Sequence, residues 1–221
     1  MNRIIRVTGK GSIKVKPDLT RLVMTLTGTE KEYEHTLRRS TEDTDALYKT
    51  IEALGFQRSS LKTLSFDIDT KYESYRDKRD NYQQRFVGYE FTHRIKIEFP
   101  IDNKLLGKTL YALAHSSVHP EFRISYTVSD PEAAKNELLG KAVTDATEKA
   151  KVLTQAANVK LRSIQSIDYS WGEMDLELRM LPKLMTDGYA APTCAEEEYD
   201  ININPDDIET SDTVTVVWEI E

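Results

Sequence analysis

A segment rich in both aromatic and basic residues lies in the middle of the chain and could bind another macromolecule. From Lys71 to Lys96 it carries seven Lys or Arg against four Asp or Glu. Aromatic rings beside basic groups stack on and neutralise single-stranded nucleic acid, whereas Tyr and Arg also anchor protein interfaces. The candidate contact residues are Tyr72, Tyr75, Arg76, Arg79, Tyr82, Arg85, Phe86 and Tyr89. Because the whole chain is acidic, with a net charge of -7, self-association is favoured over nucleic-acid binding.

The motifs of phosphate and metal binding are each incomplete. Gly9-Lys10-Gly11 begins like a dinucleotide fingerprint, but Lys14 stands where a third glycine belongs and a strand follows instead of a helix. His115 and His119 are four residues apart, but the helix has already ended there. The run from Asp200 resembles the start of an EF-hand loop that lacks its glycine and its bidentate carboxylate. The sequence therefore predicts no catalytic residue, no cofactor and no metal site, with an uncharacterised hydrolase as a minor alternative.

Composition and charge limit the broad class of protein. The 221 residues are 39% hydrophobic and 30% charged, which is typical of a soluble globular chain. A single cysteine, Cys194, excludes an intrachain disulfide and a Cys-rich zinc site. No stretch is long and apolar enough to span a membrane, and residues 1–6 lack the apolar segment of a secretory signal. We therefore expect a cytoplasmic protein that does not associate with a membrane.

The end of the chain is strongly acidic. After Lys183 there is no Lys or Arg, while the last 38 residues carry eleven Asp or Glu. A solvated loop explains such a run of like charge, and a cation site or an acidic docking segment is the alternative. The sequence predicts an irregular acidic insertion over residues 172–212.

Hydrophobic periodicity predicts the elements that would position these residues. Helices are predicted at 30–54, 103–115 and 131–157, the last capped by Ser129 or Asp130. Strands are predicted at 4–8 and 13–15, joined by a glycine turn, and at 19–27, 61–75, 85–99, 122–128, 161–171 and 213–220. The order favours an α+β fold of mixed, largely antiparallel sheets with three helices packed on them. Residues 61–99 are predicted to form a long protruding β-hairpin arm with a polar tip.

Two patterns concern packing. Ala142, Ala146 and Ala150 recur every four residues on one face of the third helix, which lets a helix lie close to a sheet. His93 alternates in register with Phe91 and Ile95, which predicts a buried or interface histidine with satisfied hydrogen bonds. We expect a single domain over residues 1–221, with a core at 1–171 and a return strand at 213–220.

A resemblance to a known family rests on short motifs in a fixed order. They are Val7-Thr8-Gly9-Lys10-Gly11, Pro17-Asp18, Leu54-Gly55-Phe56 with Leu61-Lys62-Thr63, Gly88-Tyr89, the alanine helix, and the segment from Asn204-Pro205 to Ile220. Together they resemble the SIMPL-domain family over nearly the whole chain. Asp206-Asp207 depart from the pattern, because many relatives have glycine after the proline.

The resemblance implies an α+β fold, homo-oligomerisation and no established enzymatic activity. Some bacterial members are linked with oxidative-stress tolerance or are periplasmic antigens, and an animal member acts as a signalling adaptor. No catalytic residue is carried over from the family. We therefore predict a non-enzymatic protein that associates with itself, with a stress-related scaffold or adaptor role implied by the resemblance. A single-stranded nucleic-acid binding module is the alternative.

Overall fold

The computed structural model describes residues 3–77, 80–169, 176–179 and 203–221, and the chain divides into two compact units. Unit 1 contains residues 1–18, 126–178 and 205–221, and unit 2 contains residues 19–125 and 179–204. The elements are β1 (Ile4–Val15), β2 (Leu19–Glu30), α1 (Tyr33–Glu52), β3 (Lys62–Arg76), β4 (Tyr82–Pro100), α2 (Asn103–Ala114), β5 (Glu121–Thr127), α3 (Pro131–Ala156), β6 (Leu161–Asp168), β7 (Leu178–Arg179) and β8 (Ile208–Ile220). Three helices and two antiparallel sheets confirm the predicted α+β class. None of the helices in the described ranges is both long and apolar enough to cross a membrane.

Unit 1 is a three-stranded sheet in the order β1-β8-β6 with α3 packed on it. Strand β1 pairs with β8 without interruption from Ile4 to Val15, so the predicted glycine turn is wrong. The two glycines serve the packing of α3 instead. A Cβ on Gly9 would lie 2.1 Å from the carbonyl oxygen of Ala142, and one on Gly11 would lie 2.2 Å from that of Leu138.

The small residues on α3 form the buried face of that helix. The stripe packs against apolar side chains of β1 and β8, including Val7, Val216 and Trp218. Its buried members are Ala134, Leu138, Ala142, Ala146, Ala150 and Thr154. At the start of α3 the Asp130 side chain accepts a hydrogen bond from the amide of Ala133 at 2.9 Å. The predicted packing role and the predicted cap are both confirmed.

Unit 2 is built from the order β2-α1-β3-β4-α2-β5, which is a split βαβ arrangement. Its sheet has the strand order β3-β4-β2-β5-β7. The apolar side chains that alternate along β2 and β4 pack with those of α1 and α2 in one core. Fully buried members are Leu22, Met24, Leu47, Ile51, Phe91, Ile95, Ile97, Leu106 and Leu113. Because side chains alternate along a strand, the residues between these apolar ones lie on the opposite face of β2 and β4. Most of them are polar.

Several boundaries differ from those predicted. Strand β8 begins at Ile208 within the predicted insertion, because β1 is long enough to offer Val15 as its pairing partner. Strand β6 ends at Asp168, before the predicted end at residue 171. The short strand β7 also lies in the predicted insertion. Cys194 and Asp200 lie outside the described residues.

His93 is buried in unit 2 and both of its ring nitrogens are bonded. The hydroxyl of Thr44 lies 3.0 Å from Nδ1, and that of Thr63 lies 3.0 Å from Nε2. The ring of Phe66 meets the imidazole edge to face at 5.2 Å. This confirms the prediction of a buried histidine with satisfied hydrogen bonds.

Acidification below about pH 6.5 is expected to destabilise the protein through His93. Burial lowers the pKa of His93 from its ordinary value of 6.5. The unfolded chain therefore binds more protons at this site than the folded chain, so the free energy of unfolding falls as the pH drops through the unfolded pKa. Denaturant unfolding at about pH 7.5 and about pH 5.5 should show a smaller pH effect in His93→Gln than in the wild type.

A matched control separates this burial from a general effect of histidine. His35 lies exposed on α1, so His35→Gln should keep the wild-type pH dependence. If His93→Gln retained the full pH dependence, the buried imidazole would not be its source.

Candidate interaction surface

The hairpin formed by β3 and β4 extends beyond the strand that flanks it. Strand β2 pairs with β4 only as far as Glu30, which lies opposite Tyr89. Past this point β3 and β4 pair with each other, from Lys71 opposite Gly88 to Arg76 opposite Tyr82. We call residues 71–88 the arm. The arm confirms the predicted protruding hairpin, although the part of β4 from Tyr89 onward belongs to the sheet.

The described part of the arm's tip is held by local hydrogen bonds. The amide of Asp80 donates to the carbonyl of Asp77 at 3.0 Å, and the amide of Asn81 donates to the Asp77 side chain at 3.0 Å. The Arg76 guanidinium bonds Asp80 and the Tyr82 hydroxyl, each at 2.8 Å, and lies 4.7 Å from the Tyr82 ring centre. Strand β3 ends at Arg76 and β4 begins at Tyr82, so both strands extend further toward the tip than predicted. Arg79, a predicted contact residue, lies outside the described residues.

A row of aromatic rings runs along one face of the arm to the start of α1. The ring centres of Tyr72 and Phe86 are 5.7 Å apart, those of Phe86 and Tyr89 are 5.5 Å apart, and those of Tyr89 and Tyr33 are 5.5 Å apart. All three contacts are edge to face, a favourable geometry for aromatic pairs. A register shift next to Lys71 allows Tyr89 to join the same row as Phe86. The sequence prediction missed Tyr33, whose aromatic side chain in the first turn of a polar helix was the available signal.

The opposite face of the arm carries two of the predicted residues, Tyr75 and Arg85, whereas Arg76 and Tyr82 share the face of Tyr72. Glu73 lies opposite Arg85 in the register, and their side chains form an ion pair at 2.7 Å. Tyr75 shares this face because side chains alternate along a strand, and it is 47% exposed. The eight predicted residues therefore do not form one surface. The structure distributes those it describes over two faces of a ribbon.

The described cations of the arm have acidic partners. Lys71 forms an ion pair with Glu90, and the hydrogen bond from Lys71 is the main cause that lowers the pKa of the Glu90 carboxyl below its usual value. Arg76 is paired with Asp80, and Arg85 is paired with Glu73. In the described part of the arm, these ion pairs leave little positive charge for phosphate groups, which bind clustered Lys and Arg.

The arm and the adjoining length of β3 expose large apolar side chains. Tyr82 is 73% exposed, Tyr72 is 56% exposed and Phe86 is 45% exposed. Strand β3 lies at the edge of the sheet, and a bulge leaves Leu64 without a partner in the register. Phe66 pairs with buried His93, and Ile68 pairs with buried Phe91. An edge strand presents a row of backbone groups to which another chain can pair. The arrangement offers contact area and backbone hydrogen bonds.

No metal centre accompanies this surface in the ranges that the structure describes. Within them, no three or more His, Cys, Asp or Glu side chains are grouped closely enough to hold an ion. His115 lies instead against the ring of Tyr111, with ring centres 4.1 Å apart. In and beside the arm, the carboxylates of Glu73, Asp80 and Glu90 form ion pairs with cations of the arm.

These features define an α+β protein that combines a split βαβ unit with a three-stranded sheet and an exposed aromatic hairpin. The chain belongs to the SIMPL family, described as a protein of unknown function (DUF541), whose model matches residues 5–218. This match confirms the resemblance inferred from the short motifs.

Two curated relatives are similar to the chain at low identity. The 26 kDa periplasmic immunogenic protein of Brucella abortus (strain S19) is 24% identical over 209 residues, which cover 90% of this chain and 82% of the relative. The protein of the same name from Brucella melitensis biotype 1 is 23% identical over 209 residues, which again cover 90% of this chain and 82% of the relative.

These relatives contradict the expected cytoplasmic location, because both are named as periplasmic proteins. The expectation rested on the composition of the first six residues. Residues from Ile4 onward belong to β1, a strand of the folded unit, so their composition reflects pairing with β8 and not the compartment of the protein. The cytoplasmic prediction is therefore wrong.

Proposed function

We propose that this protein is a non-enzymatic SIMPL-family protein that associates with itself through β3 and the arm. The observation that carries the proposal is the exposed edge of β3, a strand of 15 residues with large apolar side chains along its length. Leu64 and Phe66 are 46% and 43% exposed near its start, and Tyr72 and Tyr75 are exposed near its end. Several large apolar side chains exposed along one edge strand favour an interaction site.

A second copy of the same strand would fit this edge. An antiparallel strand added to β3 would bond the outward backbone N–H and C=O groups and cover the exposed rings. Pairing of one edge with its own copy around a two-fold axis would form a closed dimer, and two-fold dimers are the commonest soluble oligomers. The paired cations of the arm favour this occupant over nucleic acid, because a protein surface does not require unpaired positive charge.

The comparisons support two further parts of the proposal. The family is described by its unknown function, and the two relatives carry no enzyme name, which fits a binding or structural role. The periplasm named for both relatives is proposed as the location of this chain as well. The acidic net charge suits a soluble protein in any aqueous compartment.

The proposal predicts an assembly that charges on β3 would break. Sedimentation velocity at micromolar concentration should give the wild type a mass of at least two chains of 25.3 kDa each. In Leu64→Lys/Tyr75→Lys the added charges oppose edge pairing, so the mass should fall to that of one chain with an unchanged circular dichroism spectrum.

The matched control places the same two charges elsewhere. Val152 and Leu153 are 65% and 50% exposed on α3 of unit 1, so Val152→Lys/Leu153→Lys should leave the assembly intact. A wild-type protein that sediments as a single chain throughout the range would overturn the proposal, as would an assembly insensitive to the double change.

A further inference from the structure

A cavity that is open to solvent lies on the polar face of the unit 2 sheet, opposite α1 and α2, and its residues Arg94, Glu121 and Arg123 are exposed. It spans the neighbouring strands β4, β2 and β5 and has a volume of about 380 Å³. Its lining residues are Val23, Thr25, Arg94, Glu121, Phe122 and Arg123. The volume falls within the range of small-molecule sites, roughly 300–1,000 Å³. Neither the arm nor the edge of β3 contributes to this cavity.

Two arginine side chains of the cavity lack partners within the described part of the chain. Neither Arg94 nor Arg123 has an ion pair or a hydrogen bond there. Their neighbours on the same face are paired: Arg21 donates to the Glu98 carboxylate at 2.6 Å and Lys96 donates to it at 2.9 Å. The cavity beside them holds two more cations, Arg94 and Arg123, and one carboxylate, that of Glu121.

The positions of these side chains are fixed by strand pairing. Thr25 of β2 lies directly opposite Arg94 of β4, so a hydroxyl and a guanidinium face the cavity side by side. Arg123 comes from β5 on the other side of β2. The cavity therefore combines two guanidinium groups, one hydroxyl and the apolar side chain of Val23.

We propose that this cavity binds a small organic anion through its carboxylate or phosphate group. Guanidinium groups donate in a planar fork that matches the oxygens of both groups. The Thr25 hydroxyl would donate a further hydrogen bond to the anion, and Val23 would contact the apolar body of the ligand. Two unpaired like charges around one cavity repel each other, and an anion between them replaces that repulsion with attraction. The carboxylate of Glu121, which also lines the cavity, would repel a second anionic group on the ligand, so a ligand with a single anionic group is favoured.

Four probes test the proposal by isothermal titration calorimetry on the full chain. Phenyl phosphate and benzoate carry a ring with one of the two anionic groups, phenol carries the ring alone, and inorganic phosphate carries the anion alone. At least one of the first two should bind more tightly than phenol and inorganic phosphate, and the tighter of the two identifies the anionic group. Binding by neither ring-bearing anion, or equal binding by phenol, would overturn the proposal.

The variants separate the cavity from general electrostatics. Arg94→Gln/Arg123→Gln should weaken binding of the ring-bearing anion by about tenfold or more, because charge-assisted hydrogen bonds are lost. Arg38→Gln removes a cation from α1 on the other side of the unit and should leave binding unchanged. Equal weakening by the two variants, or none by the first, would contradict the site. The sedimenting mass should stay as in the wild type, so a failure here is distinct from a failure of the self-association proposal.

Discussion

Replacing Gly9 with valine is expected to lower the free energy of unfolding by about 3 kcal/mol or more. A Cβ at this position would lie 2.1 Å from the carbonyl oxygen of Ala142, 2.4 Å from the amide nitrogen of Ala146 and 2.7 Å from the Ala146 methyl group. Two of these three atoms are backbone and cannot rotate away. Helix α3 would have to move off the sheet and would lose its contacts with Val7 and Trp218.

Thermal unfolding followed by circular dichroism measures this effect, and Gly140→Ala is its matched control. Gly140 lies within α3, and a Cβ added there meets nothing within 4 Å. Alanine in a helix interior is favoured over glycine by roughly 0.5–1 kcal/mol, so Gly140→Ala should raise the midpoint slightly. A Gly9→Val protein with a wild-type midpoint would show that α3 does not approach β1 as closely as the structure describes.

The glycines of β1 illustrate what sequence reasoning could and could not predict in unit 1. The alanine spacing on α3 correctly predicted a helix face suited to close packing. Gly9 and Gly11 carry the matching half of that contact on the sheet, but in sequence they are indistinguishable from a turn. A glycine that allows close approach and one that allows a turn have the same side chain, and only the partner helix distinguishes them. That partner lies more than a hundred residues away in the chain.

In unit 2, too, the sequence predicted some features of the candidate surfaces and could not predict others. Alternation and the polar tip predicted the hairpin, and composition predicted its exposed aromatic and basic residues. The division of those residues between two faces depends on register, and a single shift next to Lys71 decides which face Tyr89 joins. The cavity could not be predicted at all. Its residues come from three strands that are brought together only by the order β4-β2-β5. Nothing in the sequence alone indicates that Arg94 and Arg123, which lie on either side of β2, line the same cavity.

Replacing Gly88 with alanine is expected both to destabilise unit 2 and to displace the arm. A Cβ at Gly88 would lie 2.1 Å from the carbonyl oxygen of Glu30 and 2.8 Å from its carbonyl carbon. Gly88 pairs with Lys71 at the base of the arm, where β2 ends. The strand must shift away from Glu30 to admit the methyl group, so the free energy of unfolding should fall by about 3 kcal/mol or more.

Displacement of the arm has a consequence for assembly. Tyr89 follows Gly88 directly and contacts both Phe86 and Tyr33, so a shift at Gly88 breaks the aromatic row that fixes the arm against α1. If the arm takes part in self-association, Gly88→Ala should weaken the assembly in sedimentation velocity under conditions where the protein is still folded. This second readout tests the position of the arm without adding charge to β3.

Gly55→Ala separates the effect of the close approach from the effect of backbone strain. Gly55 has φ of 94°, a conformation that side chains rarely adopt, yet a Cβ there meets nothing within 4 Å. Strain alone costs on the order of 1 kcal/mol, so Gly55→Ala should be mildly destabilised and should assemble as the wild type does. Gly88 also has a positive φ, 157°, so equal loss of stability in the two variants would assign the Gly88 effect to backbone strain alone. If Gly88→Ala loses more stability than Gly55→Ala and also assembles more weakly, the effect of Gly88→Ala is due to the close approach to Glu30 at the base of the arm.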